Sequence, residues 1–435
     1  TRVRSSAASD VYKRQAYDRM QAGRYSIEVS LNGSALSVSY TVEVREREIL
    51  PAPTLDNSIY AYNGMDPLFS ERTINYEPAT GSDKEWAGRY TVDVYAPGDE
   101  AHKQSVGMVA AYSQMHGQEL GLSTVGSFDF NGTVVVRVQT DFSFETVDIR
   151  PFSLGIEYEV VEDMENTIEF TLTRPCNISV EFDGDTARNL VLFSSYMDVY
   201  SMPSDDFIAY VRENVGENDN LIVVQPGDVD INEIYAQYSD TKHNVIVFGK
   251  GLYMLKDGPN GAGGQPEFHL PSDSTMYIHG DAGIYGHLYV VGKNNVHIKG
   301  RGYVSGQMTG AGTILSVTDS RNVVAEDFIM YHSPGWTNVL DESQDITYRG
   351  IRLAGQRRNN NDGFDICNSS DVLVDDCWIR TIDDCVTIKA RFTTTSTRMH
   401  IENIIVQNTT LWNYQGGNGI VVGSESCTDV YNNIV

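Results

Sequence analysis

The sequence predicts an all-β protein in which a parallel β-helix follows one or more β-sandwich domains. Short runs rich in Val, Ile and Thr alternate apolar and polar residues, and Asn, Asp and Gly separate them, as strands and turns do. The 435 residues include 38 glycines and 25 tyrosines, while helix-like periodicity is rare. The second half of the chain also repeats itself every 23 to 32 residues, a spacing typical of stacked coils.

The first 50 residues divide into two predicted segments. Residues 1–15 are basic, rich in Ser and Ala, and lack β-alternation, so we expect a non-native leader there. Residues 16–50 contain two alternating runs around Asn32-Gly33, a dipeptide that supplies the positive φ angles of a tight hairpin turn. We predict the end of an immunoglobulin-like module, followed by a linker at Pro51 and Pro53.

Residues 51–185 are predicted to form a β-sandwich domain. Alternating runs such as 89–95, 133–138 and 167–172 are separated by turn residues at the spacing of sandwich strands. No catalytic constellation occurs in this segment. A supporting role and a sugar-binding role both remain open, and mere support is the simpler interpretation.

Residues 186–435 are predicted to form the parallel β-helix. Six segments each carry a polar pair, often ending in Asn or Asp, before an alternating apolar run. Their first apolar residues are Val296, Val323, Ile346, Val372, Ile404 and Val430. Each coil can bury its inward residues only against the next coil, so such repeats stack into a solenoid. Asn and Asp fit before each strand because they tolerate turn geometry.

Composition excludes several classes of function. The net charge of −27 argues against general nucleic-acid binding, which needs a basic face. No apolar run is long enough to predict a transmembrane helix. The five cysteines form no CxxC pair, so a zinc site is not expected, and Cys367, Cys377 and Cys385 are predicted to be small buried residues. An anionic substrate would need a locally basic cleft. Ordinary surface charges are the simpler interpretation for most of the six basic residues close to the aspartate motif: Arg352, Arg357, Arg358, Arg380, Lys389 and Arg391.

Three aspartates are the candidate catalytic groups. Asp362 and Asp383 are 21 residues apart, about one coil, so stacking should make them neighbours, and Asp384 adds a third carboxylate. Mutual repulsion would keep one carboxyl protonated and another ionised, the division that glycosidic hydrolysis uses. Asp383 and Asp384 can share a cleft only at a strand end, bend or bulge. The alternative is that these are turn residues and a solvated charge.

Four segments carry a resemblance to a known family. Residues 360–365 (NNDGFD), 383–389 (DDCVTIK) and 419–425 (GIVVGSE) look like successive motifs of the polygalacturonase family of glycoside hydrolases. Residues 333–336 (SPGW) are similar to its Ser-Pro-x-Trp segment. The resemblance covers about residues 244–435. It implies a right-handed, pectin-lyase-like parallel β-helix from a divergent member, incomplete at both ends.

The resemblance also implies roles for individual residues. Asp383 would be the general acid, and Asp362 and Asp384 would activate the attacking water in an inverting reaction on a polysaccharide, most simply a pectic one. Substrate-binding positions would be Asn360, Lys389, Asn418, Glu425 and Trp336. No cofactor, metal ion, nucleic-acid partner or membrane span is expected. The protein would be secreted, periplasmic or on the cell surface, and a monomer is the simplest oligomeric state.

One departure from the family pattern leaves other functions open. Asn418 stands in Gly417-Asn418-Gly419 where the family usually has histidine, and Asn cannot carry a titratable proton. In the family, an Arg-x-Lys motif that would bind a uronate follows the Gly-Ser-Glu segment, and its position would fall after Val435. The alternatives are a dextranase-type glucan hydrolase on the same fold, a non-catalytic carbohydrate-binding solenoid, and a calcium-dependent lyase.

Overall fold

The computed structural model of the protein contains two compact units, Thr1–Ala52 and Pro53–Val435. In the first unit, β1 (Gly23–Ser30) and β2 (Ser37–Val44) pair antiparallel, as the alternating runs predict. The predicted leader at 1–15 lies outside the described residues. The structure describes residues 23–30, 37–44, 58–63, 89–115, 118–256, 266–306, 312–356, 360–392, 400–414, 416–423, 425–426 and 431–434.

Eleven described strands follow as a β-sandwich, and apolar residues that alternate along them fill the space between its two sheets, among them Phe128, Val136, Ile168 and Val180. One sheet has the order β10-β11-β8-β4-β5, and β3, β6, β7, β9, β12 and β13 belong to the other. β13 pairs with β7 and β12, so sandwich strands extend beyond the predicted boundary at residue 185. The strands are β3 (Ile59–Ala61), β4 (Tyr90–Tyr95), β5 (Gln104–Ser105), β6 (Met108–Met115), β7 (Gln118–Phe130), β8 (Val134–Thr140), β9 (Val147–Arg150), β10 (Tyr158–Val160), β11 (Thr167–Leu172), β12 (Asn177–Phe182) and β13 (Leu190–Ser195).

Two helices accompany the first coils. α1 (Ser204–Asn214) buries Phe207 and Val211, which lie four residues apart and therefore on one face. α2 (Ile231–Tyr235) begins where the side chain of Asp230 accepts a hydrogen bond from the Asn232 N–H. No described helix is both long and apolar enough to span a bilayer.

The rest of the chain winds into stacked coils whose strands form three parallel sheets, which confirms the predicted parallel β-helix. The first sheet contains β14 (Asn220–Val224), β16 (Asn244–Phe248), β19 (Ser274–Ile278), β22 (Asn294–Gly300), β25 (Arg321–Glu326), β28 (Gln344–Arg349), β31 (Ser370–Asp375), β34 (Ile401–Gln407) and β37 (Tyr431–Ile434). The second contains β15 (Gly227–Asp230), β17 (Gly251–Lys256), β20 (Ala282–Tyr285), β23 (Tyr303–Ser305), β26 (Ile329–Ser333), β29 (Arg352–Gln356), β32 (Trp378–Thr381) and β35 (Thr410–Asn413). The third contains β18 (Glu267–His269), β21 (His287–Val291), β24 (Leu315–Thr318), β27 (Asn338–Asp341), β30 (Phe364–Cys367), β33 (Val386–Lys389) and β36 (Ile420–Val422).

The repeat read from the sequence is the register of the first sheet. The register partners follow one another as Val296, Val323, Ile346, Val372 and Ile404, as predicted. The last alignment is wrong, because the partner of Ile404 is Ile434 and not Val430. Asn432-Asn433 is the polar pair before Ile434. The pattern of a polar pair before an apolar residue therefore holds in this coil, although it begins at Ile434 and not at Val430.

The polar residue before each of these strands adopts the left-handed conformation. Asn295 and Asn322 have φ of 58° and 52°, and the Asn322 side-chain amide donates to Asn295 Oδ1 at 2.8 Å. Asp273, Asp345, Asp371 and Asn403 have positive φ at equivalent positions. Asn and Asp adopt this conformation more readily than other residues with a side chain. This confirms the predicted reason for their recurrence.

The coils and the sandwich share one sheet. β29 pairs with β6 at Gln356 and Ser113, so the second coil sheet continues into β6, β7 and β13 of the sandwich. The coils therefore have one face covered by the sandwich, and the turns that carry the candidate site lie between the second and third sheets.

Candidate active site

The three predicted aspartates lie together on turns that join the second coil sheet to the third. Asp362 precedes β30, and Asp383 and Asp384 lie between β32 and β33. One carboxylate oxygen from each lies within 4.8 Å of the other two. Asp362 is buried, and Asp383 and Asp384 are partly exposed. Because the pair Asp383-Asp384 lies in a turn, the alternation of a strand does not separate the two side chains.

Strand register decides which aspartates are stacked. Phe364 pairs with Val386, an offset of 22 residues, so the position equivalent to Asp362 on the next coil is Asp384. The Gly363 N–H donates to the Asp384 carbonyl at 2.9 Å, which continues this register through the turn. The predicted offset of 21 residues is therefore one short, and Asp383 lies one residue before the stacked position.

Two glycines allow the coils to approach here. A Cβ on Gly363 would lie 2.3 Å from the Cys385 carbonyl oxygen, and one on Gly417 would lie 2.3 Å from the Asp384 nitrogen. The turn is also held by side chains, because Thr381 and Asn413 both donate hydrogen bonds to the Asp383 carbonyl. The backbone that carries Asp383 and Asp384 is therefore fixed from two neighbouring coils.

The three carboxylates have different surroundings. Burial, followed by repulsion from Asp365 and the other site aspartates, raises the pKa of Asp362 to about 8. Asp384 Oδ1 accepts hydrogen bonds from the Asn418 N–H at 2.7 Å and from its side-chain amide at 2.9 Å. Asp383 Oδ1 accepts one from the Asp384 N–H at 3.0 Å. The cluster thus has a protonated carboxyl beside a hydrogen-bonded acceptor at neutral pH.

Lys389 is the cation of the site. Its Nζ lies 2.9 Å from Asp365 Oδ1, 3.3 Å from Glu425 Oε2 and 3.8 Å from Asp362 Oδ2. Burial opposes the charge, but the carboxylates, Asp365 foremost, raise the pKa of Lys389 above its ordinary value. The Trp336 ring centroid lies 3.9 Å from Nζ. Lys389, Glu425 and Trp336 therefore belong to the site, but Lys389 itself is buried.

The remaining predicted position is exposed. Asn360 has φ of 53° and lies at the surface just before Asp362. The next residue, Asn361, is fully buried, and its amide donates to the carbonyls of Ser333 and Gly335 on the preceding coil. Asn361 thereby ties the loop before Trp336 to the loop before Asp362.

Two of the six basic residues near the aspartate motif, Arg352 and Arg380, point away from the site, and Arg357 and Arg358 lie outside the described residues. Arg352 donates hydrogen bonds to Asn177 and Ser195, and Arg380 donates to Ser123 and Asn189, all in the sandwich segment. Neither residue makes the cleft basic, and neither is a solvated surface charge, because each lies in the second sheet and its guanidinium is bound to the sandwich. Arg391 does lie near the site, with its guanidinium 5.0 Å from the Trp336 ring centroid and 3.6 Å from Asp341.

The cysteine prediction is confirmed, since Cys367, Cys377 and Cys385 are buried and free. Sequence reasoning missed Asp365 and Thr387 as site residues. Asp365 is fully buried, and the Thr387 hydroxyl donates to its Oδ1 at 2.7 Å. Asp365 and Thr387 are register partners on β30 and β33. The 22-residue offset that stacks Asp384 on Asp362 also stacks Thr387 on Asp365, and this register is the signal that could have paired them.

This arrangement supplies the groups for acid and base catalysis at one carbon. A protonated carboxyl can donate to a leaving oxygen while an ionised neighbour accepts a proton from water. Three carboxylates this close could also admit a cation, but proximity of acids alone does not indicate a metal site.

Comparisons with known proteins cover part of the chain. Residues 278–435 match the family model "Glycosyl hydrolases family 28". The chain is 28% identical over 155 residues to "Probable exopolygalacturonase A" of Aspergillus niger, covering 31% of this chain and 32% of that protein. It is 27% identical over 167 residues to "Exopolygalacturonase X-2" of Emericella nidulans, covering 36% and 34%. The matches thus span about a third of the length of these relatives.

A solved structure resembles a larger part of the molecule. Dex49A from Penicillium minioluteum superposes with a TM-score of 0.51 and 13% identity, covering 77% of this chain and 82% of that chain. At this identity the similarity concerns the fold, namely a parallel β-helix with its accompanying sandwich.

Proposed function

We propose that the protein is a divergent glycoside hydrolase acting on a pectic polysaccharide, a proposal supported by the match of residues 278–435 to glycosyl hydrolases family 28. The observation that carries the proposal is the cluster of Asp362, Asp383 and Asp384, whose oxygens lie within 4.8 Å of one another. One buried, protonated carboxyl beside a hydrogen-bonded carboxylate is the combination that hydrolysis of an acetal requires. A pectic polysaccharide is a polymer that an enzyme encounters outside the cell, so secretion or a cell-surface location belongs to the same proposal.

In the proposed reaction, a proton passes from Asp383 to the glycosidic oxygen as the bond from that oxygen to the anomeric carbon breaks. Asp384 accepts a proton from the water whose oxygen bonds to the anomeric carbon. Asp362 supplies the proton that Asp383 donates, and it does so when substrate binds, since one oxygen of each carboxyl lies within 4.8 Å of the other. Burial favours the proton on Asp362 in the substrate-free protein, whereas the family resemblance assigns its delivery to Asp383.

Inversion of configuration is part of the proposal and is directly measurable. Acid and base in inverting enzymes are usually roughly 6.5–9.5 Å apart, which leaves room for water, and the oxygens here are closer. The proposed inversion therefore rests on the family resemblance and not on the separation. Proton NMR of the first product anomer distinguishes inversion from retention.

Asn418 replaces the family histidine with a different kind of contact. Its backbone N–H and side-chain amide both donate to Asp384 Oδ1. These two donors fix the orientation of the Asp384 carboxylate, and neither of them can titrate. The orientation that the histidine is expected to give is thus supplied by hydrogen bonds alone.

A neutral glucan is the second candidate substrate, and a specific observation favours it. Each basic side chain described near the site already has partners, with Lys389 among carboxylates and Arg391 beside Asp341. Arg352 and Arg380 bind the sandwich. A uronate carboxylate would therefore compete with existing ion pairs, whereas a glucan hydroxyl would not.

The test is turnover of polygalacturonate, rhamnogalacturonan and dextran by the 435-residue chain. Reducing ends measure hydrolysis, and ultraviolet absorbance of unsaturated products measures elimination by a lyase, with and without a chelator. We expect saturated products that Asp383→Asn abolishes. Unsaturated, chelator-sensitive products would show the lyase instead, and retained polysaccharide binding without turnover would show a non-catalytic solenoid.

A further inference from the structure

The Lys389 side chain is more deeply buried than we expect of a residue that binds a sugar. It is only 4% exposed, although it ends beside the aspartate cluster. Carboxylates of Asp365, Glu425 and Asp362 surround its Nζ at 2.9, 3.3 and 3.8 Å. An ammonium has three N–H donors, and three acidic side chains already face this one. The Trp336 ring covers a further side at 3.9 Å.

Asp365 anchors Lys389 from the interior of the coil. Its carboxylate is fully buried, and Oδ1 accepts from Lys389 Nζ and from the Thr387 hydroxyl at 2.7 Å. Its other oxygen, Oδ2, has no hydrogen-bond partner among the described residues. A buried carboxylate with one unpartnered oxygen depends strongly on the cation beside it, because water does not screen its charge. Neither member of the pair is therefore free to leave for a ligand.

The pair also adjoins Asp362, whose Oδ2 lies 3.8 Å from Lys389 Nζ. Asp365 lies three residues after Asp362 on the same coil, and Lys389 comes from the next coil. The charged groups that act on Asp362 are Asp365 and Lys389, and Asp383 and Asp384 from the neighbouring turn. Asp365 is further influenced by Arg391, and Lys389 by Glu425. Lys389 is the one group of the four around Asp362 that favours its ionised form.

We propose that Lys389, through its buried pair with Asp365, is a positioning residue that holds the Asp362 carboxyl in place and does not bind the sugar. The inference rests on the proposed hydrolase function only in naming a sugar as the ligand that Lys389 does not bind. The geometry of the pair and its effect on Asp362 are independent of any substrate. The prediction that Lys389 is a substrate-binding residue is thereby replaced by a role inside the protein.

The test follows the proton on Asp362 by its effect on stability. A carboxyl whose folded pKa is raised contributes stability that is fully present below its ordinary value of 3.8 and is lost as pH rises through about 8. Thermal unfolding is measured from pH 4 to 10 for the 435-residue chain, Lys389→Met and Asp365→Asn. Each is paired with the same protein carrying Asp362→Asn, so that the difference between paired curves isolates Asp362.

Opposite displacements are expected. Lys389→Met removes the attracting cation and should move the alkaline end of the difference upward by about one pH unit, whereas Asp365→Asn removes a repelling anion and should move it downward by about as much. Lys256→Met, which breaks the exposed pair with Asp228, is the matched control and should leave it in place. Where Lys389→Met does not fold, Asp365→Asn carries the same test.

Activity gives the second readout. A positioning role predicts that Lys389→Met lowers kcat about tenfold or more and changes KM little. The reason is that Asp362 would shift relative to the reacting atoms while the sugar contacts stay intact. A rise in KM at constant kcat, or unmoved stability differences in both variants, would overturn the proposal. If the unchanged chain turns over no polysaccharide, the hydrolase proposal fails, while the stability curves still decide the role of Lys389.

Discussion

The sandwich-facing side of the second coil sheet and the turns that lead from this sheet to the third differ in how their charged groups are arranged. On the side that meets the sandwich, Arg301 contacts Asp129 at 3.1 Å and Asp327 at 2.9 Å. Arg352 and Arg380 each donate several hydrogen bonds to sandwich residues. At the turns, three like charges gather around one another, and the nearest cation is shared with Asp365 and Glu425. On the sandwich side each charge is satisfied by an ion pair or by neutral hydrogen-bond acceptors, whereas the gathering of like charges marks the candidate site.

The largest expected effect is on chemistry at the turns. Asp383→Asn removes the proposed proton donor and should lower kcat on the order of 10² to 10⁴-fold, while thermal stability stays close to that of the unchanged chain. The matched control is Asp319→Asn, since Asp319 is a turn aspartate with φ of 46° that Asn tolerates equally. Equal activity of both variants would restore the interpretation of Asp383 as an ordinary turn residue.

The next effect concerns the matched side. Arg301→Met leaves Asp129 buried without its cation and should destabilise the protein by about 3–5 kcal/mol, measured by chemical unfolding. Activity per folded molecule should be unchanged. Arg321→Met breaks the exposed pair with Asp345 and should cost under about 1 kcal/mol. If Arg301→Met also lowered the free energy of unfolding by less than about 1 kcal/mol, the proposed difference between the two regions would be contradicted.

A smaller effect should come from the backbone of the site. Gly417→Ala places a Cβ 2.3 Å from the Asp384 nitrogen, so the turn carrying Asp383 and Asp384 must shift. Activity should fall on the order of 10²-fold, because small displacements of catalytic groups are costly. Gly419→Ala is the control, since the nearest atoms to its Cβ lie at 3.8 Å. Comparable losses in both variants would argue against close packing at Gly417 as the cause.

The pH dependence should report the proton held by Asp362. Burial and neighbouring carboxylates raise the pKa of Asp362 to about 8. Above that pH the cluster loses the proton that the proposed acid needs, so kcat/KM should fall about tenfold per pH unit. Asp365→Asn should move this limb to lower pH. A limb unaffected by that substitution would separate Asp362 from the titrating group.

Much of the coil architecture was predictable from the chain. The repeats at Val296, Val323, Ile346, Val372 and Ile404 are register partners because each inward residue must be buried against the next coil. Asn and Asp before each strand mark left-handed turns for a reason intrinsic to their side chains. The same spacing brought the three aspartates within one coil of each other, although the offset is 22 residues and not 21.

The surroundings of those residues depended on tertiary structure. The sequence placed Arg352, Arg380 and Lys389 near the aspartates along the chain, but two of them face the sandwich and the third is enclosed by acids. The direction in which a side chain points depends on the sheet it belongs to and on what packs against that sheet. Here the coils pair with the sandwich through Gln356 and Ser113, which are distant in the chain. Local periodicity determines which residues stack, because stacking needs only a repeat and burial. Whether a buried charge finds a partner depends on distant segments, so the raised pKa of Asp362 and the pairing of Lys389 with Asp365 were decided by the folded structure alone.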